Sequence, residues 1–282
     1  MGSDVRFASG TLVDEVRPTG SPASVANGGR AGRWWLVGAA AAALSVAHAH
    51  AAALPWDQAS AWVLASHLFA VGLLAGLLWL GAALGLRLLR ALGAVDALGL
   101  EGLLFAVGLG LGGLAYLVLA CGFLGLLRPW ALAALLAALA VALRAELAEL
   151  AAALPTLGRA WLDQRRELRR ERMVGLSVSL IEITVILLVF RALAPPTGYD
   201  ALLYHLEGPR AFLQLGRLAP LPELQQANMP FTVEMLYLLG LAFGSDELPG
   251  LLHLGLAVLL GLATFGFGRR FFGPTVGWLA AA

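Results

Sequence analysis

Lysine is missing from this chain; all nineteen basic residues are arginine. With alanine, leucine and glycine dominating the rest, the simplest cause is a GC-rich genome, so arginine at any one position is no evidence that a guanidinium rather than an ammonium was needed there. Cysteine is almost absent: Cys121 stands alone in an apolar run, which excludes a disulfide framework and a thiolate metal site. Charge is scarce. Only 13% of the 282 residues are charged and 60% are apolar, with a mean hydropathy of +0.81, whereas a soluble domain carries roughly 25% charged residues. A net charge of +1 offers no footprint for nucleic acid.

What is present instead is a series of apolar runs near the ~20 residues that a bilayer crossing needs. They predict an all-α integral membrane protein, a polytopic helix bundle with a large extracytoplasmic loop. The polar stretch 1–33 has four arginines and no periodicity, and it reads as a disordered cytoplasmic tail. Spans are expected at about 34–54, 60–86, 102–127, 130–151 and 174–193. The fourth is the weakest, because Arg144, Glu146 and Glu149 enter it early. A sixth is expected at 248–267, and the 13-residue run from Phe231 to Phe243 is short enough to be a juxtamembrane helix. The chain stops at Gly277-Trp-Leu-Ala-Ala-Ala282, inside the next apolar run, so a longer protein with a further helix from 274 is expected.

Arginine clusters set the orientation, since cytoplasmic loops carry the excess of basic residues. Arg30 and Arg33, then Arg87 and Arg90, then the run Arg159 to Arg172, and finally Arg269 and Arg270 fall on the cytoplasmic side, and segment 194–247 falls outside. The run Gln164-Arg-Arg-Glu-Leu-Arg-Arg-Glu-Arg172 is read as a topology anchor rather than a dedicated lipid or partner patch. The glycine pairs Gly72/Gly76, Gly81/Gly85 and Gly108/Gly112 permit close helix packing, although 34 glycines produce such spacings by chance.

Polar side chains concentrate between Ala194 and Pro230. Pro195 and Pro196 end the fifth span. A helix beginning at Asp200 and ending at Gly208-Pro209 would set Asp200, Tyr204 and Glu207 on one face, at i, i+4 and i+7. Two carboxylates and a phenol on one surface suit acid/base work or a metal; a solvated helix capped by Asp200 is the simpler reading from spacing alone. His205 lies between the two acids. His48, His50, His67 and His253 are scattered and define no ligand set. Glu182, inside the fifth span, is either a functional residue or one half of a hydrogen-bonded pair.

The succession Tyr199-Asp200, Tyr204-His205-Leu206, Pro209-Arg210, Gly216-Arg217, Asn228-Met-Pro230, Glu234-Met-Leu-Tyr237 and Gly268-Arg-Arg-Phe-Phe-Gly273 resembles bacterial members of the GT-C superfamily of membrane glycosyltransferases, of the protein mannosyltransferase and aminoarabinose transferase type. The resemblance covers 194–282, about a third of the chain. It implies an enzyme of a bacterial plasma membrane that moves a sugar from a polyprenyl-phosphate donor to an acceptor on the extracytoplasmic face. The family's catalytic acid, early in the first large outer loop, carries over to Asp200, with Glu207 standing in for an absent adjacent acid, since Ala201 follows Asp200. Substrate contacts are expected from Tyr204, His205, Arg210, Arg217, Asn228 and Glu234. Of these, Arg210 and Arg217 are the cations for the leaving phosphate. A divalent metal ion is the cofactor the resemblance admits, and the missing second acid leaves it unassigned.

Two other readings compete with the transferase. One is a transporter or flippase of lipid-linked saccharides, for which paired intramembrane charges and a repeated half are the signature; the sequence displays neither. The other is a non-catalytic membrane subunit of a polysaccharide assembly system.

Overall fold

The computed structural model describes residues 59–95, 98–170, 172–229 and 231–281. The expected tail 1–33 and the expected span 34–54, with His48 and His50, lie outside the described residues. The described residues are 82% helical and include no strand. Among them, four helices are long and apolar enough to cross a membrane, or five if a bent pair forms one crossing. That is the make-up of a multi-pass membrane protein.

Helix α1 (Ala59–Ala91) runs up to Arg90 and α2 (Leu100–Phe123) returns beside it. Their contact depends on missing side chains. A Cβ at Gly85 would overlap the Ala106 carbonyl, and one at Gly110 would overlap the Gly81 carbonyl. Of the three glycine pairs, only Gly81/Gly85 therefore makes a backbone-to-backbone seam, with Gly110 opposite. Gly72, Gly76, Gly108 and Gly112 face open space. Close approach of backbones replaces the hydrophobic driving force that is missing between helices in lipid.

Gly125, at φ +74°, closes α2, and the Leu126 amide donates to the Cys121 carbonyl at 2.8 Å, a glycine-terminated helix end. Helix α3 (Pro129–Ala142) follows and stops where the sequence predicts continuation. The run 130–151 is not one straight helix: the chain turns by 70° at Leu143 into α4 (Arg144–Leu168). Neither Pro nor Gly stands at the break, and its cause lies in charge. Arg87 grips Glu146 with two guanidinium nitrogens, at 2.7 and 2.9 Å, and donates a third hydrogen bond to the Ala142 carbonyl at 2.9 Å. Arg90 takes Glu149 in the same forked way. A straight helix would carry these carboxylates onward among apolar side chains; the turn brings them to the arginines that end α1.

Helix α5 (Arg172–Leu193) is the most peripheral of the apolar helices, with only 6% of its central window buried. Leu180, Ile183, Ile186, Leu187 and Phe190 are all exposed, an arrangement adverse in water and natural against lipid. After the loop come one π-helical turn (Ala201–His205), α6 (Glu207–Leu215), a 3₁₀ turn (Gln225–Asn228) and α7 (Glu234–Ala242). Helix α8 (Leu248–Phe272) then runs back, and α9 (Pro274–Ala281) folds against its end, Gly268 meeting Gly277 without side chains between them. The short run expected to be juxtamembrane, α7, is instead buried from Glu234 to Gly240 and belongs to the main core with α2, α6 and α8.

These contacts sort the chain into two ends. Arg87 and Arg90 pair with the start of α4, Arg165 and Arg169 with Glu182, and Arg270 with Glu101 at 3.5 Å. At the opposite end the α2–α3 turn is stitched to the long loop: Leu127 donates to the Gly216 carbonyl and Leu218 to the Gly122 carbonyl, each at 3.0 Å.

The seam between α1 and α2 yields a direct test. Gly85→Val should lower stability in detergent by about 1–3 kcal/mol, the usual range for overpacking, read from thermal unfolding. Gly72→Ala, with nothing near the added methyl, should be neutral or stabilising by up to ~1 kcal/mol.

Candidate functional site

The loop begins with Pro195 and Pro196, as expected, but the helix after them differs from the predicted one. Leu206 donates to the Ala201 carbonyl at 3.0 Å, an i to i+5 bond that inserts one extra residue into the turn. An α-helix advances about 100° per residue, so the inserted residue rotates everything that follows. The shared face of Asp200, Tyr204 and Glu207 is thereby lost. Asp200 and Glu207 are exposed and neither carboxylate has a partner among the described residues, while Tyr204 packs towards Phe231 in the core. Asp200 stands at the capping position without making a capping bond. Gly208-Pro209 begins α6 rather than breaking a helix, because proline in the first turn forfeits only an amide that has no intrahelical partner. Glycine is required beside it: a Cβ at Gly208 would lie 2.6 Å from the Phe231 ring.

The π turn and α6 present His205 to a cleft of about 430 Å³ between the end of α5, this turn and the start of α8, a size suited to a small-molecule site. Leu188, Ala192, Pro249, Leu254 and Ala257 form its apolar wall, and its polar lining comes from Arg191, His205, Tyr237, Asp246 and His253. His205 Nδ1 lies 2.6 Å from Glu234 Oε1. Glu234 is buried, at 7% exposure, and a buried carboxylate without a partner would be costly. With its hydrogen on Nδ1, facing the carboxylate, a neutral imidazole would present Nε2 as a lone pair. Tyr204, at 4.2 Å between ring centroids, and the Phe231 ring hold the imidazole in place.

A second polar pair flanks the first. Tyr237, one turn beyond Glu234 on α7, places its hydroxyl 3.3 Å from His253 Nδ1 on α8. Burial, with the Glu234 carboxylate adding to it, pushes the Tyr237 phenol up to about 12, so near neutral pH it stays protonated beside His253. Arg210 is engaged by Asp246 at 2.9 Å. Arg217 is exposed and pairs with no acid among the described residues, and it is not part of the cleft lining. Asn228 is committed to the loop itself: its amide accepts from the Leu221 amide and donates to the Leu221 and Leu224 carbonyls. Arg191, which does line the cleft, has Thr197 Oγ1 as its partner at 3.2 Å. No three His, Cys, Asp or Glu side chains converge to hold a metal among the described residues.

Of the residues expected at a site, the structure thus joins His205 to Glu234 and leaves Asp200 and Glu207 apart. Sequence reasoning missed Tyr237, His253, Asp246 and Arg191 as cleft residues. One signal was available for the first two. Helices α7 and α8 form an antiparallel pair around Gly244-Ser245, and Tyr237 and His253 each stand eight residues from Ser245. No protein-family model matches this chain, and no curated protein or solved structure is significantly similar to it.

The raised Tyr237 phenol has a visible consequence. The stabilisation from burying it neutral is complete below the ordinary phenol value of ~10 and is lost as pH rises through about 12. In a phenolate absorbance titration, Tyr237→Phe should remove the component that appears near pH 12 and leave the remainder unchanged.

Proposed function

We propose that this protein is a membrane glycosyltransferase that takes a sugar from a polyprenyl-phosphate donor and works at the cleft beside His205. The observation that carries the reading is the His205–Glu234 pair at 2.6 Å on the wall of a largely apolar cleft. A carboxylate that orients an imidazole is the arrangement of a general base. His205 Nε2 takes the proton of an acceptor hydroxyl, the oxygen bonds to the anomeric carbon, and the carbon–oxygen bond to phosphate breaks, its electron pair leaving with the polyprenyl phosphate. Arg191 is the cation in the cleft lining that faces no carboxylate, so the departing phosphate is assigned to it rather than to Arg210 or Arg217. The resemblance noted in the loop motifs supports the reaction class, and the apolar wall formed by α5 and α8 suits a lipid-linked donor.

In membranes containing the complete protein, transfer from a polyprenyl-phosphate sugar should fall roughly 100-fold or more in His205→Asn, the usual scale for losing a general base. Glu234→Gln should cost about tenfold, as an orienting residue, and Asp200→Asn should change turnover little. Loss of transfer in Asp200→Asn with a normal His205→Asn enzyme would return the chemistry to Asp200. Unchanged transfer in all three would remove the cleft from the reaction.

The cleft is assigned to the extracytoplasmic face of a bacterial plasma membrane. What supports this is the gathering of Arg87, Arg90, Arg165, Arg169, Arg269 and Arg270 at the other end of the bundle. In a Cys121→Ser background, Ala219→Cys should react with an impermeant thiol reagent on intact cells and Ala160→Cys should not. The reverse pattern would invert the molecule and put the cleft on the wrong side for the donor.

One observation favours a second reading, a transporter or flippase of lipid-linked saccharides. Glu182, within an apolar helix, is held by Arg165 at 2.9 Å and Arg169 at 2.6 Å, a paired charge that the sequence did not disclose. Glu182 stands near the middle of α5 (Arg172–Leu193), whereas both arginines come from outside the apolar run, and the pair is not part of the cleft lining. Glu182→Gln should therefore leave sugar transfer intact; if it abolished movement of a lipid-linked saccharide across proteoliposomes, the transport reading would replace the transferase.

A further inference from the structure

We propose that the outward stripe of α4 and of the turn after it, formed by Arg159, Leu162, Arg166 and Arg170, is a binding surface for anionic phospholipid headgroups. The arginines of this segment divide into two sets by what they face. Arg165 and Arg169 turn inward and are taken by Glu182 on α5. Arg166 and Arg170 turn outward, with side chains 77% and 76% exposed, and among the described residues their acidic partners are Asp163 and Glu167, three residues back, at 3.1 and 3.2 Å. Among the described residues Arg159 has the Pro155 carbonyl as its partner. Exposed pairs of that kind contribute little and exchange readily, so these guanidiniums remain open to a stronger anion.

Placement decides the partner. Spacings of three and four residues put Arg159, Leu162 and Arg166 along one line of the helix, and Arg170 follows them in the turn after Leu168. The opposite face carries Leu150, Leu157 and Leu168, all buried. Helix α4 is fastened at both ends, by Arg87 and Arg90 to its first turns and by Glu182 to its last. It leaves the apolar α3 at 70°, which lays it across the arginine-bearing end of the bundle, close to the membrane plane if α3 lies along the normal. Leu162 is half exposed within this line of arginines. Basic groups interleaved with exposed leucine on an in-plane helix match an anionic lipid surface. An acidic protein partner would need the charges but not the leucine.

The test uses the complete chain in lipid nanodiscs, with Cys121→Ser and a nitroxide on Leu162→Cys. In phosphatidylcholine mixed with phosphatidylglycerol the nitroxide should be immobilised and shielded from an aqueous relaxation agent, and salt should reverse this. In phosphatidylcholine alone it should be mobile. Each arginine near an anionic surface is worth about fivefold in affinity, so the triple variant Arg159→Gln, Arg166→Gln, Arg170→Gln should weaken phosphatidylglycerol binding by roughly 100-fold, with thermal unfolding unchanged. Asp163→Asn with Glu167→Gln should strengthen it, which keeps the test decisive if the triple variant fails to fold. Equal nitroxide behaviour in the two lipids, retention of binding by a folded triple variant, or no gain on removing the two acids would overturn the proposal.

Discussion

Charge placed among apolar helices must find a partner, and this requirement organises the bundle. A buried carboxylate is tolerable only when a cation or a set of donors replaces the water it has lost. The two buried carboxylates among the described residues, Glu146 and Glu234, are each met, by Arg87 and by His205. Glu149 and Glu182 are likewise paired across helices, and Asp246, between α7 and α8, pairs with Arg210 of α6. Each pair joins two different segments, so the pairs act as fasteners between helices that are otherwise held by non-directional packing.

The two ends of the molecule use this constraint differently. At the arginine end the pairs are forked guanidinium–carboxylate contacts, strong in geometry and fixed in charge. They fold α4 away from α3 and hold it against α1 and α5. At the other end the pairs involve histidine, tyrosine and a single Arg–Asp contact, groups able to give or take a proton or to release one another. One end is built as a brace and the other as a wall of exchangeable polar groups beside an apolar cleft.

The site depends on an irregularity. Had the segment after Asp200 continued as an α-helix, His205 would point elsewhere and Asp200, Tyr204 and Glu207 would share a surface. One wide turn, ended by Gly208 packing on Phe231, sends His205 to Glu234 instead. Such widened turns recur at functional sites because they re-aim a side chain without breaking the helix on either side.

Hydropathy alone determined that the chain is a bundle of apolar helices, and it located α1, α2, α5 and α8 to within a few residues, because each must satisfy its own backbone hydrogen bonds over a length that lipid imposes. It also drew attention to the polar segment that carries His205 and Arg210. Pair partners were beyond it. The contact of His205 with Glu234 spans 29 residues, that of Arg87 with Glu146 spans 59, and neither has a local periodicity to betray it. The charges from Arg144 onward marked the fourth span as weak, but the turn at Leu143 itself was hidden for the same reason: no proline or glycine marks it, and the partner of Glu146 is an arginine on another helix. The burial of α7 was equally invisible, since a short apolar run suits an interface and a core alike. Local propensity and hydrophobic length are properties of a stretch of chain, whereas the partner of a charge and the orientation of a turn are decided only when distant stretches meet.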